Sequence, residues 1–359
     1  VAAIIAVLVR GFGLSVLTQP WNPYMPLLAW LVVLLAAWAV LDGDDLMLIP
    51  LVAAASFAAQ THIPYLLMAG AIGLLAVVVV LVRWWRARGS GERSSPPRSV
   101  LATVGVFGVL WLAPLVDQVR RDPGNITRLL DHFGSPDEEP IGYGAGIRLM
   151  FRHLDAVGAH LGLLVGQERF LEEGFDPDGP IWAGVILLTA WIVAFVVASR
   201  LRHRSLVSLH SVLAVTLVLT SLSMSRIFGQ RWYYLTLWAW VTTTLVIVAT
   251  LWTAVAWLRV HRPDMGQRVS RAGIATAGAL VAAVVTGSMI VLAPSTDHPE
   301  EYLGDTLGEL VEPTAAALDP ESTYVVEWKD AYFFGSQAFG LVSELRRAGY
   351  DVGAGEFWT

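Results

Sequence analysis

Apolar runs that match or approach the roughly 30 Å of a bilayer's hydrocarbon layer recur near residues 26–41, 46–61, 64–82, 99–116, 181–199, 206–224, 232–258 and 272–293. They predict about eight full transmembrane helices. The first two are short, so they tilt together or lie partly in the interface. Val1–Val9 reads as the end of a further helix. Segment 117–180 is a long break between spans. Within it Ile147, Met150, Phe151, Leu154, Val157, Leu161 and Leu164 recur at helical spacing, with Arg148, Arg152 and Asp155 elsewhere around the helix. This predicts an interfacial helix near 146–165. Asp176-Pro177-Asp178-Gly179-Pro180 breaks the chain before the next span. After residue 294 the pattern changes. Thr323–Trp328 reads as a strand, 335–348 as a helix and Tyr350–Val352 as the start of a second strand. Together they predict a small α/β domain over 295–359, cut off early.

Composition agrees with the spans. Of 359 residues, 55% are hydrophobic and only 15% are charged, where soluble proteins carry about 25%. The mean hydropathy is +0.58. A soluble globule cannot hide that much apolar surface, so the fold class is an all-α polytopic membrane domain, 1–294, followed by the small α/β domain. The chain has no cysteine, which excludes disulfides, Cys-ligated zinc, iron–sulfur clusters and a thiol nucleophile. Residues 295–359 carry a net charge of −10 and residues 1–294 one of +4. No basic stripe is interleaved with aromatics, which argues against nucleic acid as a partner.

The arginines also orient the chain. Arg83, Arg86, Arg88, Arg93 and Arg98 fill one short loop, Arg200, Arg202 and Arg204 another, and Arg259, Arg262, Arg268 and Arg271 a third. Cytoplasmic loops hold such an excess. Loops 11–25, 62–64, 117–180 and 225–231 then face outward, as does the tail 295–359.

Candidate chemistry gathers on that outer face. Trp21-Asn22-Pro23-Tyr24-Met25-Pro26 opens one span, and Gln60-Thr61-His62 closes the next. Taken singly, these are an aromatic belt and a helix cap. Arg226 and Arg231 break the charge rule, because they lie in a short outer loop followed by Trp232, Tyr233 and Tyr234. Two guanidiniums there can clamp a lipid phosphate, or snorkel to headgroups. Asp117, at the end of another span, is a candidate for orienting an acceptor hydroxyl. Gly142-Tyr143-Gly144-Ala145-Gly146 lacks the preceding strand of a nucleotide loop and reads as a flexible entry to the interfacial helix. His153 and His160, with Asp155, lack zinc-ligand spacing and read as interfacial histidines. No metal or cofactor is assigned; the sequence leaves a divalent ion open without showing one.

Trp21-Asn22-Pro23, then Gln60-Thr61-His62, then Arg231-Trp232-Tyr233 resembles the GT-C class of membrane glycosyltransferases. The likeness covers roughly residues 11–258. It is closest to the protein-mannosyltransferase and aminoarabinose-transferase-like family that uses polyprenyl-phosphate sugars. The resemblance implies a multi-pass enzyme of the cell membrane with its active site outside and a small extracytoplasmic C-terminal domain. It implies a polyprenyl-phosphate-linked sugar as donor and an extracytoplasmic acceptor such as a cell-wall glycan, lipid or protein. Arg231 and Arg226 would hold the donor phosphate. Trp21, Asn22, Gln60, His62, Asp117, Trp232 and Tyr233 would line the substrate cavity. The family's catalytic acid lies in the first outer loop and is expected upstream of Val1. The late arginine is followed here by Trp-Tyr-Tyr rather than the commoner Tyr-Leu. The rival readings are a membrane transporter or lipid flippase, a glycan polymerase or ligase, and a non-catalytic assembly scaffold. Inverted repeats and charges at span centres would favour the transporter.

Overall fold

The computed structural model describes residues 1–13, 16, 19–90, 98–136, 138–161, 170, 176–262, 270–295, 301–329 and 336–355. Leu164, Arg93, Arg268 and the stretch 356–359, all part of the sequence reading, lie outside the described residues. Contacts divide the chain into two units, Val1–Ala293 and Pro294–Thr359.

In the first unit the helices are α1 (Ala2–Phe12), α2 (Leu27–Asp42), α3 (Leu48–Thr61), α4 (Pro64–Gly89), α5 (Arg98–Arg120), α6 (Asn125–Gly134), α7 (Gly142–His153), α8 (Trp182–Arg200), α9 (Arg204–Ser225), α10 (Ala239–His261) and α11 (Arg271–Leu292). Six of them, α4, α5, α8, α9, α10 and α11, are long and apolar enough to cross a membrane. This is a multi-pass membrane protein. The expectation of about eight full spans is corrected: α2 and α3 are helices of 16 and 14 residues, and at 1.5 Å per residue neither covers the hydrocarbon unaided.

The core sits where α2, α3, α4, α7, α9 and α10 meet. Trp30, Trp238, Trp240 and Tyr65 are its largest fully buried side chains. By contrast, α5 and α11 carry their apolar residues outward, with Val109 and Val291 about three-quarters exposed (75% and 77%).

Two clusters mark opposite ends of the bundle. At one, Arg83 donates to the carbonyls of Val40 and Leu41, each at 2.6 Å, and pairs with Asp45 at 3.1 Å. Both carbonyls belong to the last turn of α2, where acceptors lack a full set of helical partners, so Arg83 clamps a helix end. Arg204, at the start of α9, lies 3.9 Å from Asp42. Loops 21–26, 62–64, 121–141 and 226–238 gather at the other end, where Pro64 starts α4 at a position that needs no N–H.

The stretch expected as an interfacial helix near 146–165 is described as far as residue 161. The helix α7 ends at His153 and is followed by one wide turn, Ala156–Leu161. It packs into the bundle against α9, α8 and α10. Glycine permits this. A Cβ on Gly146 would lie 2.6 Å from the backbone nitrogen of Ser225, and one on Gly184 of α8 would strike the carbonyl of Phe151. The stretch 142–146 is therefore the first turn of the packed helix rather than a flexible entry.

The second unit contains α12 (Glu301–Ala317), β1 (Thr323–Val326), α13 (Ser336–Arg347) and β2 (Asp351–Ala354). β1 and β2 pair in parallel, Thr323 opposite Asp351 and Val326 opposite Ala354. Val342, Leu345 and Val352 form its small core.

Candidate functional site

The loops that open α2 and precede α10 meet at one end of the bundle in an aromatic cluster. The Trp21 ring packs edge-on against Tyr24 at 4.9 Å and Tyr234 at 4.7 Å. Tyr234 stacks with Trp232 at 6.1 Å and meets Tyr233 edge-on at 5.7 Å. The hydroxyls of Tyr24 and Tyr233 share a hydrogen bond of 2.6 Å. Pro23 and Tyr24 are buried while Trp21 and Asn22 are exposed, so proline and tyrosine fix the loop and present its other two residues. Exposed ring faces of this kind suit a sugar's C–H surface.

Trp232 is shared with a cavity of about 590 Å³. The wall is largely apolar, with Leu66 and Leu67 on one side, Leu130 and Phe133 of α6 on another, and Phe228 and Trp238 beyond. Its polar groups are few: Arg226, Glu138 and His132 among the ionisable ones. Such a wall, apolar with a few polar groups, is the common make-up of a small-molecule cavity. Gly229, with φ of +70°, turns the loop beside Glu138. Ile141 donates to Ile227 at 2.8 Å and ties the Arg226 turn to the start of α7.

The two arginines are placed differently. Arg226 lines the cavity. Arg231 does not, although its neighbours Gln230 and Trp232 do. Both are exposed, and neither guanidinium has a hydrogen-bond or ion-pair partner among the described residues.

Other candidates lie apart from this cavity. Pro114 inside α5 has no N–H for the carbonyl of Leu110, and the Gln60 side chain donates to that carbonyl at 3.1 Å. Asp117 is bound on both oxygens, by Arg121 at 3.2 Å and by the backbone N–H of Asn125 at 3.0 Å, so it secures the start of α6. Gln60 and Asp117 share a polar groove of about 420 Å³ with Arg121, Asn125 and Arg128. His62 ends α3, its ring 6.1 Å from that of Tyr65, and its Nε2 is buried with no hydrogen-bond partner. Burial lowers its pKa to about 4, so the ring is neutral at physiological pH.

The histidines placed at the interface by sequence belong to the core instead. His153 is buried against Trp240 at 4.9 Å, and burial lowers its pKa to about 4. His160 lies 3.0 Å from the hydroxyl of Thr244 and beside Phe170, which stacks on Trp240 at 5.0 Å. No group of three metal-ligating side chains occurs among the described residues. Glu138 is a cavity residue that sequence reasoning missed, because a lone acid in a polar loop carries no signal. The chain matches no known family model, no characterised protein and no solved structure.

Proposed function

We propose that this chain is an integral membrane glycosyltransferase that moves a hexosyl or pentosyl unit from a polyprenyl-phosphate donor to an extracytoplasmic acceptor. The supporting observation is the junction at Trp232, where an aromatic cluster suited to a sugar adjoins an apolar cavity carrying Arg226. In this reading the prenyl chain enters the cavity from the bilayer, and Arg226 holds the phosphate as it leaves. A bidentate, charge-assisted bond to a developing phosphate charge is stronger than to the ground state, which is what lowers the barrier. Arg231 attracts the anionic head from solvent. Trp21, Tyr233 and Tyr234 carry the sugar. The site end faces away from the cytoplasm, as the arginine bias requires, and residues 295–359 form a small extracytoplasmic domain.

The test is transfer of radiolabelled sugar from a polyprenyl-phosphate donor in washed membranes. Arg226→Ala should lose about 2–4 kcal/mol of transition-state stabilisation, the scale of one preorganised donor to a developing anion. Arg226→Lys should recover part of it, and Arg231→Ala should act mainly on the donor concentration required. Full activity in both alanine variants would refute the reading. Movement of the lipid across vesicles without sugar transfer would favour the flippase.

A further inference from the structure

We propose that the groove between α3, α4 and α5 is a site for an anionic glycerophospholipid, separate from the Arg226 cavity and independent of the glycosyltransferase reading. Two recesses make it. The upper one is the polar groove at the ends of α3 and α5. Its single acid, Asp117, is already bound on both oxygens. Arg128 keeps its whole guanidinium and Arg121 its terminal nitrogens, so two arginines against one aspartate leave the groove at +1. The side-chain carbonyl of Gln60 and the side-chain amide of Asn125 add neutral polar groups. This set suits a phosphate that carries hydroxyl or ester oxygens.

The lower recess is an apolar slot of about 240 Å³, lined by Ala55, Ala59, Gly70, Gly73, Phe107 and Trp111. It continues the groove along the same two helices. Ala59 directly precedes Gln60 on α3, and Trp111 lies two residues before Ala113 on α5, both members of the upper recess. Small residues on α3 and α4 make room for a chain, while Trp111 closes the side by donating to Ser56 at 3.1 Å. At Gly70 a Cβ would meet nothing within 4 Å, so the slot is open at that point. A cationic head groove beside an apolar slot on the same two helices is the form of one lipid, head and tail. A free phosphate would leave the slot empty, and the choline cation of a zwitterionic lipid would add positive charge to a groove already at +1.

The probe is purified full chain, stripped of lipid, offered equal amounts of dioleoyl phosphatidylglycerol and dioleoyl phosphatidylcholine and read by native mass spectrometry. Wild type should retain phosphatidylglycerol in preference. Arg121→Gln/Arg128→Gln should lower that retention about ten-fold, the equivalent of one charge-assisted hydrogen bond. Gly70→Leu should lower it comparably by filling the slot, with size-exclusion profiles unchanged in both. Equal retention of the two lipids by wild type, or retention unchanged in both variants, would overturn the site. Displacement by inorganic phosphate together with full retention in Gly70→Leu would reduce it to a phosphate groove and overturn the lipid. Loss confined to Arg226→Ala would move the lipid to the other cavity.

Discussion

Gly146 and Gly144 lie two residues apart on α7, and the structure predicts opposite consequences for the same substitution. Gly144 is exposed, and a Cβ there meets nothing within 4 Å. Gly144→Ala should therefore stabilise by about 0.5–1 kcal/mol, because alanine loses less backbone freedom on entering a helix. Gly146 is buried, and its Cβ would lie 2.6 Å from Ser225 N and 2.7 Å from Ser225 Cα. Those are backbone atoms at the end of α9, and they cannot swing aside as a flexible side chain would. The helix must move instead, at an overpacking cost of about 1–3 kcal/mol. Ser225 precedes Arg226, and the Ile141–Ile227 hydrogen bond joins the same two segments. The displacement should thus reach the cavity wall as well as the core. Equilibrium unfolding in detergent, followed by tryptophan fluorescence, should separate the two variants by about 1.5–4 kcal/mol. Equal stability of the two, or a loss in Gly144→Ala, would refute the close approach of α7 to α9.

Gln60→Leu should destabilise by about 0.5–1.5 kcal/mol, the net worth of its hydrogen bond to the Leu110 carbonyl. Pro114→Ala restores an N–H, so in that background Gln60→Leu should cost much less, a coupling that a double-mutant cycle measures directly. Stability should also depend on pH. His62 and His153 have folded pKa values near 4 against 6.5 unfolded, so between those values the unfolded chain binds more protons and stability falls as pH falls. The contribution is complete above about pH 6.5, and His62→Phe should flatten its share of the decline in the same unfolding assay.

The membrane helices were legible because length and unbroken apolarity report a span directly, and α5 and α11 show it in its simplest form. The shortness of α2 and α3 was legible too, though whether they span was not. What escaped the sequence was pairing over long separations. Gln60 looked like a cavity residue because nothing local announces that Pro114 frees a carbonyl 50 positions away. An amphipathic stripe such as that from Ile147 to Val157 looks alike whether protein or lipid covers it. Only Gly146 and Gly184 hinted at close packing, and glycine signals a turn equally well. Asp117 shows the same ambiguity, since an acid at a span's end reads as chemistry until its two partners are placed. The meeting of Trp21 with Tyr234 was implied by the shared outer face alone, which fixes depth in the membrane but not neighbours.

Helix α6 follows from these contacts and has a consequence for the cavity. It has ten residues and none of them is buried, which is shorter than an isolated helix needs to persist in water. Its N-terminus is held by Asp117 on Asn125 and by Gln118 on Thr127 at 3.1 Å. At its C-terminal end His132 and Phe133 meet Phe228 at 5.7 and 5.8 Å. Between those anchors Leu129 and Leu130 line the 590 Å³ cavity, while Arg128 faces the polar groove. Leu130 is 68% exposed, so an occupant of the cavity would add burial to the apolar face of α6. A polyprenyl chain there should slow amide hydrogen exchange in α6, because filling the cavity adds the burial that the helix lacks. A short-chain phosphate without the prenyl tail should leave exchange near its unliganded rate. Uniform protection by both compounds would assign the effect to the phosphate at Arg226, and no protection by either would separate α6 from the donor site.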